Sequence, residues 1–195
     1  MLKSLVILLI SLSSYKASAY DAGPRLAKLP KWFKNRAPGQ MLEVDVCKEA
    51  SWSEAVADPS KLGPYEVESK FISLSSELTG QKTQYLRMQD IEFKNEFNGI
   101  WACASLLHID KKLTESVFNI LCNALRDDGV LYASYQYGKG ISILEDRYYN
   151  NYDERSFAEV IENVNNLKIL TYWITKDLRP DRIDEKWLNV ILKKI

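Results

Sequence analysis

A short apolar run that ends in small residues constrains this chain more than any other feature. Residues 100–104 read IWACA, and a polar turn that includes Asn98 and Gly99 precedes them. A brief apolar run bounded by turn residues is typical of a strand that is buried on both faces of a sheet. The carboxyl end of such a parallel strand is where α/β proteins bind ligands. His108, which is the single histidine of the chain, follows the run closely.

From residue 40 onwards the hydrophobic pattern alternates between strands and helices. The other predicted strands cover residues 41–46, 65–68, 82–87, 130–135, 167–175 and 187–192. Helices are predicted over residues 71–80, from Thr114 onwards and after Asp153, which we expect to be an N-cap. Residues 127–129, Asp-Asp-Gly, predict a turn before the next strand. This order predicts a doubly wound, mostly parallel α/β sheet.

Composition narrows the functional classes. The chain has 195 residues, which favours a single domain with a sizeable core. Lys+Arg and Asp+Glu are both 26, so no net charge attracts nucleic acid or acidic lipid, and we expect no nucleic-acid partner. The three cysteines, Cys47, Cys103 and Cys122, are widely spaced and odd in number. That spacing argues against a disulfide framework and against a zinc site, and no metal is predicted.

The N-terminal region has the form of a secretory signal. Lys3 precedes an apolar run over residues 5–12, and Ala17-Ser18-Ala19 matches an A-x-A cleavage site. The run is too short to cross a bilayer, so we expect no integral membrane segment in the mature domain. An apolar N-terminal helix and a mis-assigned start of the reading frame are the alternatives. The predicted boundaries are therefore 1–19 for this segment, 20–39 for an exposed lead-in and 40–195 for the domain.

Several short motifs then occur in the order and spacing of a known family. They are YEV at 65–67, ISLSSELTG at 72–80, MQDIEF at 88–93, GIWACASLLH at 99–108, LRDDGVLYASYQYG at 125–138 and EKWLNVILKK at 185–194. The chain thereby resembles class I S-adenosylmethionine (SAM)-dependent methyltransferases, and among them the tellurite-resistance-type small-molecule methyltransferases. The resemblance implies a Rossmann-like sheet with a C-terminal antiparallel hairpin. It also implies SAM as cofactor and a small-molecule methyl acceptor as partner.

The resemblance also assigns site residues, motif by motif. The implied cofactor-binding residues are Glu43, Glu68, Gln89, Asp90, Ala102, Cys103 and Ser105. Asp90 is the implied adenine contact, and capping of a turn is its alternative role. His108 is the candidate catalytic residue, because a neutral imidazole can orient or deprotonate an acceptor, and a purely structural hydrogen bond is the alternative. The tyrosines within residues 132–137 and 147–152 match the family's substrate lid or, equally, sheet packing.

One contiguous block departs from the family pattern. Residues 43–51 read EVDVCKEAS, and no glycine follows before Gly63, where the family has its Gly-rich cofactor loop. The family's acidic residue after the second strand is represented only by Glu68. Such a block favours local replacement or a disturbed reading frame over gradual divergence. Two functions therefore stay open: a SAM-dependent methyltransferase, with activity impaired by this block, and a catalytically inactive methyltransferase-fold binding protein.

The sequence leaves a second hypothesis open both for the fold and for the cellular location of the protein. A Rossmann dehydrogenase that binds NAD is the second fold hypothesis, although the chain lacks its G-x-G-x-x-G motif. The chemistry of a SAM-dependent enzyme and the unpaired cysteines favour the cytoplasm. The signal-like N-terminus favours secretion, and a secreted protein that reuses the sheet is a third hypothesis.

Overall fold

A computed structural model describes residues 5–11, 40–46, 83–85, 88–144 and 147–195 of the chain. These residues contain two α-helices, α1 (Thr114–Ala124) and α2 (Glu154–Ile161). Their strands are β1 (Leu5–Ser11), β2 (Gln40–Val46), β3 (Thr83–Tyr85), β4 (Phe97–Ala102), β5 (Leu125–Gln136), β6 (Gly140–Leu144), β7 (Arg147–Asn151), β8 (Leu167–Lys176) and β9 (Lys186–Lys194). Short 3-10 helices cover Met88–Asp90, Leu106–His108, Lys111–Leu113 and Pro180–Arg182.

Seven of these strands form one mixed sheet in the order β3-β1-β2-β4-β5-β9-β8, and β6 pairs with β7 in a separate hairpin. β4 lies at the centre and is parallel to both β2 and β5. β9 is antiparallel to β5 and to β8, which confirms the predicted C-terminal antiparallel hairpin. Parallel strands direct their carboxyl ends to the same edge of a sheet, so β2, β4 and β5 end together there.

β1 lies in the sheet between β2 and β3. Its backbone is antiparallel to β2, with Leu5 opposite Val46 and Ser11 opposite Gln40, and it is also antiparallel to β3. The apolar run that matches a signal peptide is thus extended and paired on both sides. The predicted cleavage site lies outside the described residues, and signal cleavage stays a prediction. The strand predicted over 65–68 and the helix predicted over 71–80 also lie outside the described residues.

The hydrophobic pattern after residue 97 predicted most of the elements but not the strands β6 and β7. β4, β5, β8 and β9 overlap the predicted strands, and α1 begins at the predicted Thr114. Asp153 caps α2 as expected: its Oδ1 accepts from the Ser156 N–H at 2.8 Å, and Ser156 Oγ accepts from the Asp153 N–H at 3.1 Å. The Ser156 hydroxyl also donates to Asp153 Oδ1, and this hydrogen bond, together with the one from the Ser156 N–H, lowers the pKa of Asp153 to about 2.

The predicted turn over residues 127–129 is wrong, because these residues belong to β5. Leu125 pairs with Phe97 and Val130 pairs with Gly99, so β5 carries extra residues in a bulge between the two pairs. Gly129 lies in that bulge, where a Cβ atom would come within 2.6 Å of the Arg126 carbonyl oxygen. The close approach explains why the bulge has the glycine that also suggests a turn.

Both faces of β4 are buried, as predicted. Ile100 and Ala102 face the main core, where they join side chains from α1, α2 and β9. On the other face Trp101 stacks on Tyr132 of β5 with 4.0 Å between ring centroids, and the Tyr132 hydroxyl donates to Asn189 Oδ1 at 2.8 Å. The central strand is therefore fixed on both sides before it reaches the carboxyl edge. Among the described residues, no helix is long and apolar enough to cross a membrane.

Candidate cofactor and catalytic site

The chain turns sharply at the end of β4. Ala104 has a left-handed backbone with φ of 51°, which is uncommon for a residue other than glycine. Its N–H donates to Ser134 Oγ of β5 at 2.8 Å, and Ser134 Oγ also lies 3.7 Å from Cys103 Sγ. The neighbouring strand thus holds the turn in place. Ala102 is fully buried and Cys103 is half-buried, so the turn is formed by residues with small side chains.

Ser105 leaves a polar atom without a partner at this turn. The residue is 0% exposed, and its Oγ has no hydrogen-bond partner among the residues that the structure describes. Its carbonyl oxygen accepts from the His108 N–H at 3.2 Å, so the backbone there is satisfied. A buried hydroxyl without a partner costs about 1–3 kcal/mol, and native proteins contain few of them. This hydroxyl is therefore a candidate for hydrogen bonding to a polar ligand.

His108 has a defined hydrogen bond through its imidazole. The ring's Nδ1 lies 2.8 Å from the carbonyl oxygen of Tyr148 on β7, and the ring centroid lies 4.7 Å from that of Tyr149. A carbonyl oxygen only accepts hydrogen bonds, so Nδ1 carries the proton in the neutral ring. With the proton on Nδ1, Nε2 is the basic nitrogen of the neutral ring. A histidine in this form can take a proton from a nearby molecule.

The other predicted cofactor residues lie along the same sheet or outside the described part. Glu43 of β2 is opposite Trp101 of β4, one position before Ala102, so the backbone of β2 runs beside the β4 tip. Gln89 and Asp90 form the end of a 3-10 helix that lies against α1, and Asp90 is exposed. Glu68 lies outside the described residues. The structure therefore brings together Ala102, Cys103, Ser105 and His108 on one strand end.

No sequence pattern indicated that β7 contributes to the candidate site. A backbone carbonyl of Tyr148 contacts His108, and Asn150 reaches the same loop through its side-chain amide. The tyrosine-rich composition of residues 147–152 favoured two interpretations of the segment, a substrate lid and side chains packed on the sheet. It did not single out Asn150, because an asparagine in a strand has no distinctive pattern. Asn150 lies opposite the loop after β4 because of how β7 packs in three dimensions, which a local sequence pattern does not show.

The residues at the β4 tip fit a nucleoside-type cofactor in two respects. The side chains of Ala102, Cys103 and Ala104 are small, so they add little bulk at the end of β4. The unpartnered hydroxyl of Ser105 offers a donor and an acceptor to a polar group. The switch in strand order beside β4 is also where open α/β sheets bind such ligands.

No family model matches the chain, and no curated protein is significantly similar to it in sequence. Solved structures do resemble it. The 1,6-didemethyltoxoflavin-N1-methyltransferase of Burkholderia thailandensis, with 1,6-didemethyltoxoflavin and S-adenosylhomocysteine bound, has a TM-score of 0.54 and 16% identity over 68% of this chain and 58% of its own. TehB of Haemophilus influenzae has a TM-score of 0.50 and 12% identity over 67% of this chain and 47% of its own.

A SAM-dependent methyltransferase of Leishmania major gives a TM-score of 0.51 and 9% identity, over 63% of this chain and 51% of its own. The chain thus spans less than two thirds of the length of each of these three proteins. At such low identities the likeness shows the fold. The chain has the class I methyltransferase fold, in agreement with the strand order described above.

Proposed function

We propose that the chain is a SAM-dependent methyltransferase that acts on a small molecule. The observation that carries the proposal is the buried, unpartnered Ser105 hydroxyl at the strained end of the central parallel strand. The fold adds support, because β4 occupies the centre of a sheet whose solved relatives include SAM-dependent enzymes. SAM, when bound, supplies a methyl group on a positively charged sulfur.

In this proposal Ala102, Cys103 and Ser105 hold the cofactor at the carboxyl end of β4. Gln89 and Asp90 contact its adenine ring. The carboxylates of Glu43, in β2, and Glu68, in the predicted strand 65–68, bind polar groups of the cofactor. The small residues contribute close backbone approach, and Ser105 contributes a hydrogen bond that is satisfied only with ligand. Together these residues fix the position of the reactive group, and alignment is the main requirement of a direct displacement.

His108 is the proposed base. Its Nε2 accepts a proton from a thiol, amine or hydroxyl acceptor while the methyl group transfers, and its Nδ1–H stays bonded to the Tyr148 carbonyl. General acid–base help of this kind contributes about 10²–10⁴-fold to a rate. No triad is required, because the leaving group departs without being protonated. Since SAM is a cytosolic metabolite, we place the activity in the cytoplasm.

A catalytically inactive binding protein is the second candidate. The specific observation in its favour is the block at 43–51, which has no glycine where the Gly-rich cofactor loop is expected. Side chains at such a loop occupy the space that a cofactor needs. The two candidates share the fold and differ in whether SAM binds.

A calorimetric titration of the full chain with S-adenosylhomocysteine (SAH) separates them. We expect saturable binding with a micromolar Kd for SAH and SAM, and no heat with NAD⁺, which tests the dehydrogenase alternative in the same experiment. Absence of heat with SAH and SAM favours the inactive protein. If SAH binds, transfer of a radiolabelled methyl group from SAM to 2-mercaptoethanol, tyramine and catechol tests a thiol, an amine and a hydroxyl acceptor.

A further inference from the structure

Strand β7 holds the loop that contains His108. The carbonyl oxygen of Tyr148 accepts from His108 Nδ1 at 2.8 Å, and the Tyr148 hydroxyl accepts from the Lys111 N–H at 3.1 Å. One residue of β7 thus contacts the loop twice, once through its backbone and once through its side chain. The loop itself has two consecutive 3-10 turns, Leu106–His108 and Lys111–Leu113, and few hydrogen bonds of its own fix their relative position.

Asn150 completes this attachment two residues further along β7. Its side chain is buried, and its Nδ2 donates to the Ile109 carbonyl oxygen at 2.8 Å and lies 3.4 Å from Thr114 Oγ1 at the start of α1. Its Oδ1 accepts from the Tyr148 hydroxyl at 3.3 Å. Both ends of the segment between His108 and α1 are therefore tied to the same strand. Buried polar networks that are satisfied in this way fix a single local geometry.

We propose that Tyr148 and Asn150 are positioning residues that hold His108 as the Nδ1–H tautomer, so that Nε2 is the base for methyl transfer. The Tyr148 carbonyl sets the tautomer, and Asn150 with the Tyr148 hydroxyl sets the distance between that carbonyl and the ring. The inference rests on the proposed function for the role of Nε2, whereas the tautomer itself is independent of any ligand. Neutral imidazole in water favours the opposite tautomer, so the held form is a specific expectation.

The chain's single histidine makes the tautomer directly measurable. A long-range ¹H–¹⁵N correlation spectrum of the ¹⁵N-labelled protein contains the imidazole signals of one ring only. We expect the wild-type ring near pH 8 to be almost entirely the Nδ1–H form, with widely separated nitrogen shifts. A wild-type ring in the Nε2–H form, or in fast exchange between the two forms, overturns the proposal.

Two variants test the positioning residues, and a neighbouring asparagine provides the control. Asn150→Asp keeps the side-chain shape but removes the donor to Ile109, and Tyr148→Phe removes only the hydroxyl. Asn151→Asp adds the same charge one residue away, where the side chain contacts Ser142 within the hairpin. We expect averaged ring shifts in Asn150→Asp, a smaller change in Tyr148→Phe and a wild-type spectrum in Asn151→Asp. If Asn150→Asp does not fold, Tyr148→Phe still decides, and unchanged shifts in it contradict the proposal.

Kinetics separate positioning from the proposed function. With the best of the three acceptor probes, we expect Asn150→Asp to lower kcat about tenfold and to leave KM for SAM unchanged. A rise in KM with unchanged kcat contradicts a positioning role. If the wild-type protein neither binds SAH nor transfers methyl groups, the proposed function fails, while the histidine spectra still confirm or refute that β7 sets the tautomer.

Discussion

Two loops at the carboxyl edge of the sheet each contain a buried polar side chain. One of these side chains is fully hydrogen-bonded, and the other is not. After β8, Asp177 is 4% exposed and both its carboxylate oxygens are bonded: Arg179 Nη2 donates to it at 2.6 Å, the Arg179 N–H at 2.9 Å and Trp187 Nε1 at 2.8 Å. After β4, Ser105 is also buried, but its hydroxyl has no partner in the described part of the chain. The two loops are at the same edge because β5 and β8 are both antiparallel to β9.

The difference separates a group that stabilises the fold from a group that we assign to ligand binding. A buried carboxylate with donors on both oxygens is stabilised as the anion, and the Arg179 hydrogen bonds hold the pKa of Asp177 well below its usual range. A buried hydroxyl without a partner costs free energy in the ligand-free protein, and for Ser105 we propose that a bound ligand supplies the partner. The following predictions test this division, beginning with the largest expected effect.

Asp177→Ala is expected to lower the free energy of unfolding by about 2–4 kcal/mol, because it removes the carboxylate that accepts from the buried Trp187 N–H and pairs with Arg179. The half-exposed Arg179 regains water, which keeps the loss below that of a fully buried pair. Denaturant unfolding measures the change. Asp184→Ala in the same loop is the control, because Asp184 is exposed. A loss in Asp177→Ala below about 1 kcal/mol argues against a stabilising role.

Acid unfolding tests the charge of the same group. The pKa of Asp177 is lower in the folded state than the unfolded value of about 3.9, so the unfolded chain binds more protons between these two values. The stability that Asp177 contributes is therefore present above about pH 4 and is lost as the pH falls below it. We expect Asp177→Asn to have a shallower loss of stability from pH 5 to pH 2 than the wild type. Identical acid slopes contradict the assignment, and Asp153 supplies part of the slope in both proteins.

The fold after residue 97 could be predicted from sequence because its signals are local. Asp153 and Ser156 are three residues apart and form the cap of α2. The alternating pattern of β8 and the mostly apolar run of β9 are both typical of strands. The bulge around Gly129 was missed, because Asp-Asp-Gly has the same composition in a turn and in a bulge. The place of β1 was also missed. An apolar run of this length is typical both of a signal peptide and of a paired strand, so the sequence did not indicate the pairing of residues 5–11, which leaves signal cleavage as a prediction.

The site could be predicted in part for the same reason. Ala102, Ser105 and His108 follow one another on a single strand end, so their proximity is a consequence of chain order. The partner of His108 is a backbone carbonyl, and every residue has one, so composition carries no information about it. Which carbonyl reaches the ring depends on how the β6–β7 hairpin packs over the loop. Sequence therefore indicated His108 as a candidate base and did not indicate the groups that contact its ring.

Ser105→Ala tests the other side of the comparison. We expect the free energy of unfolding to stay unchanged or to rise by up to about 1 kcal/mol, because the substitution removes a buried hydroxyl without a partner. Affinity for SAH is expected to fall about tenfold, which corresponds to about 1.4 kcal/mol. Ser116→Ala is the matched control, since Ser116 is exposed and bonds only to Leu113 within the described residues. Reduced stability with unchanged SAH affinity contradicts the ligand-binding role of Ser105.

Tyr135→Phe has the smallest expected effect and tests whether any unpartnered hydroxyl marks a ligand. The Tyr135 hydroxyl is also buried without a partner among the described residues, and burial raises the pKa of Tyr135 well above its usual value. Its ring packs against the rings of Tyr152 and Phe157 in the main core, with centroids 5.0 Å and 5.4 Å away. We therefore expect an unfolding free energy within about 1 kcal/mol of wild type and an unchanged Kd for SAH by calorimetry. A weaker Kd for SAH in this variant contradicts the assignment of Tyr135 to the core and extends the proposed ligand site to β5.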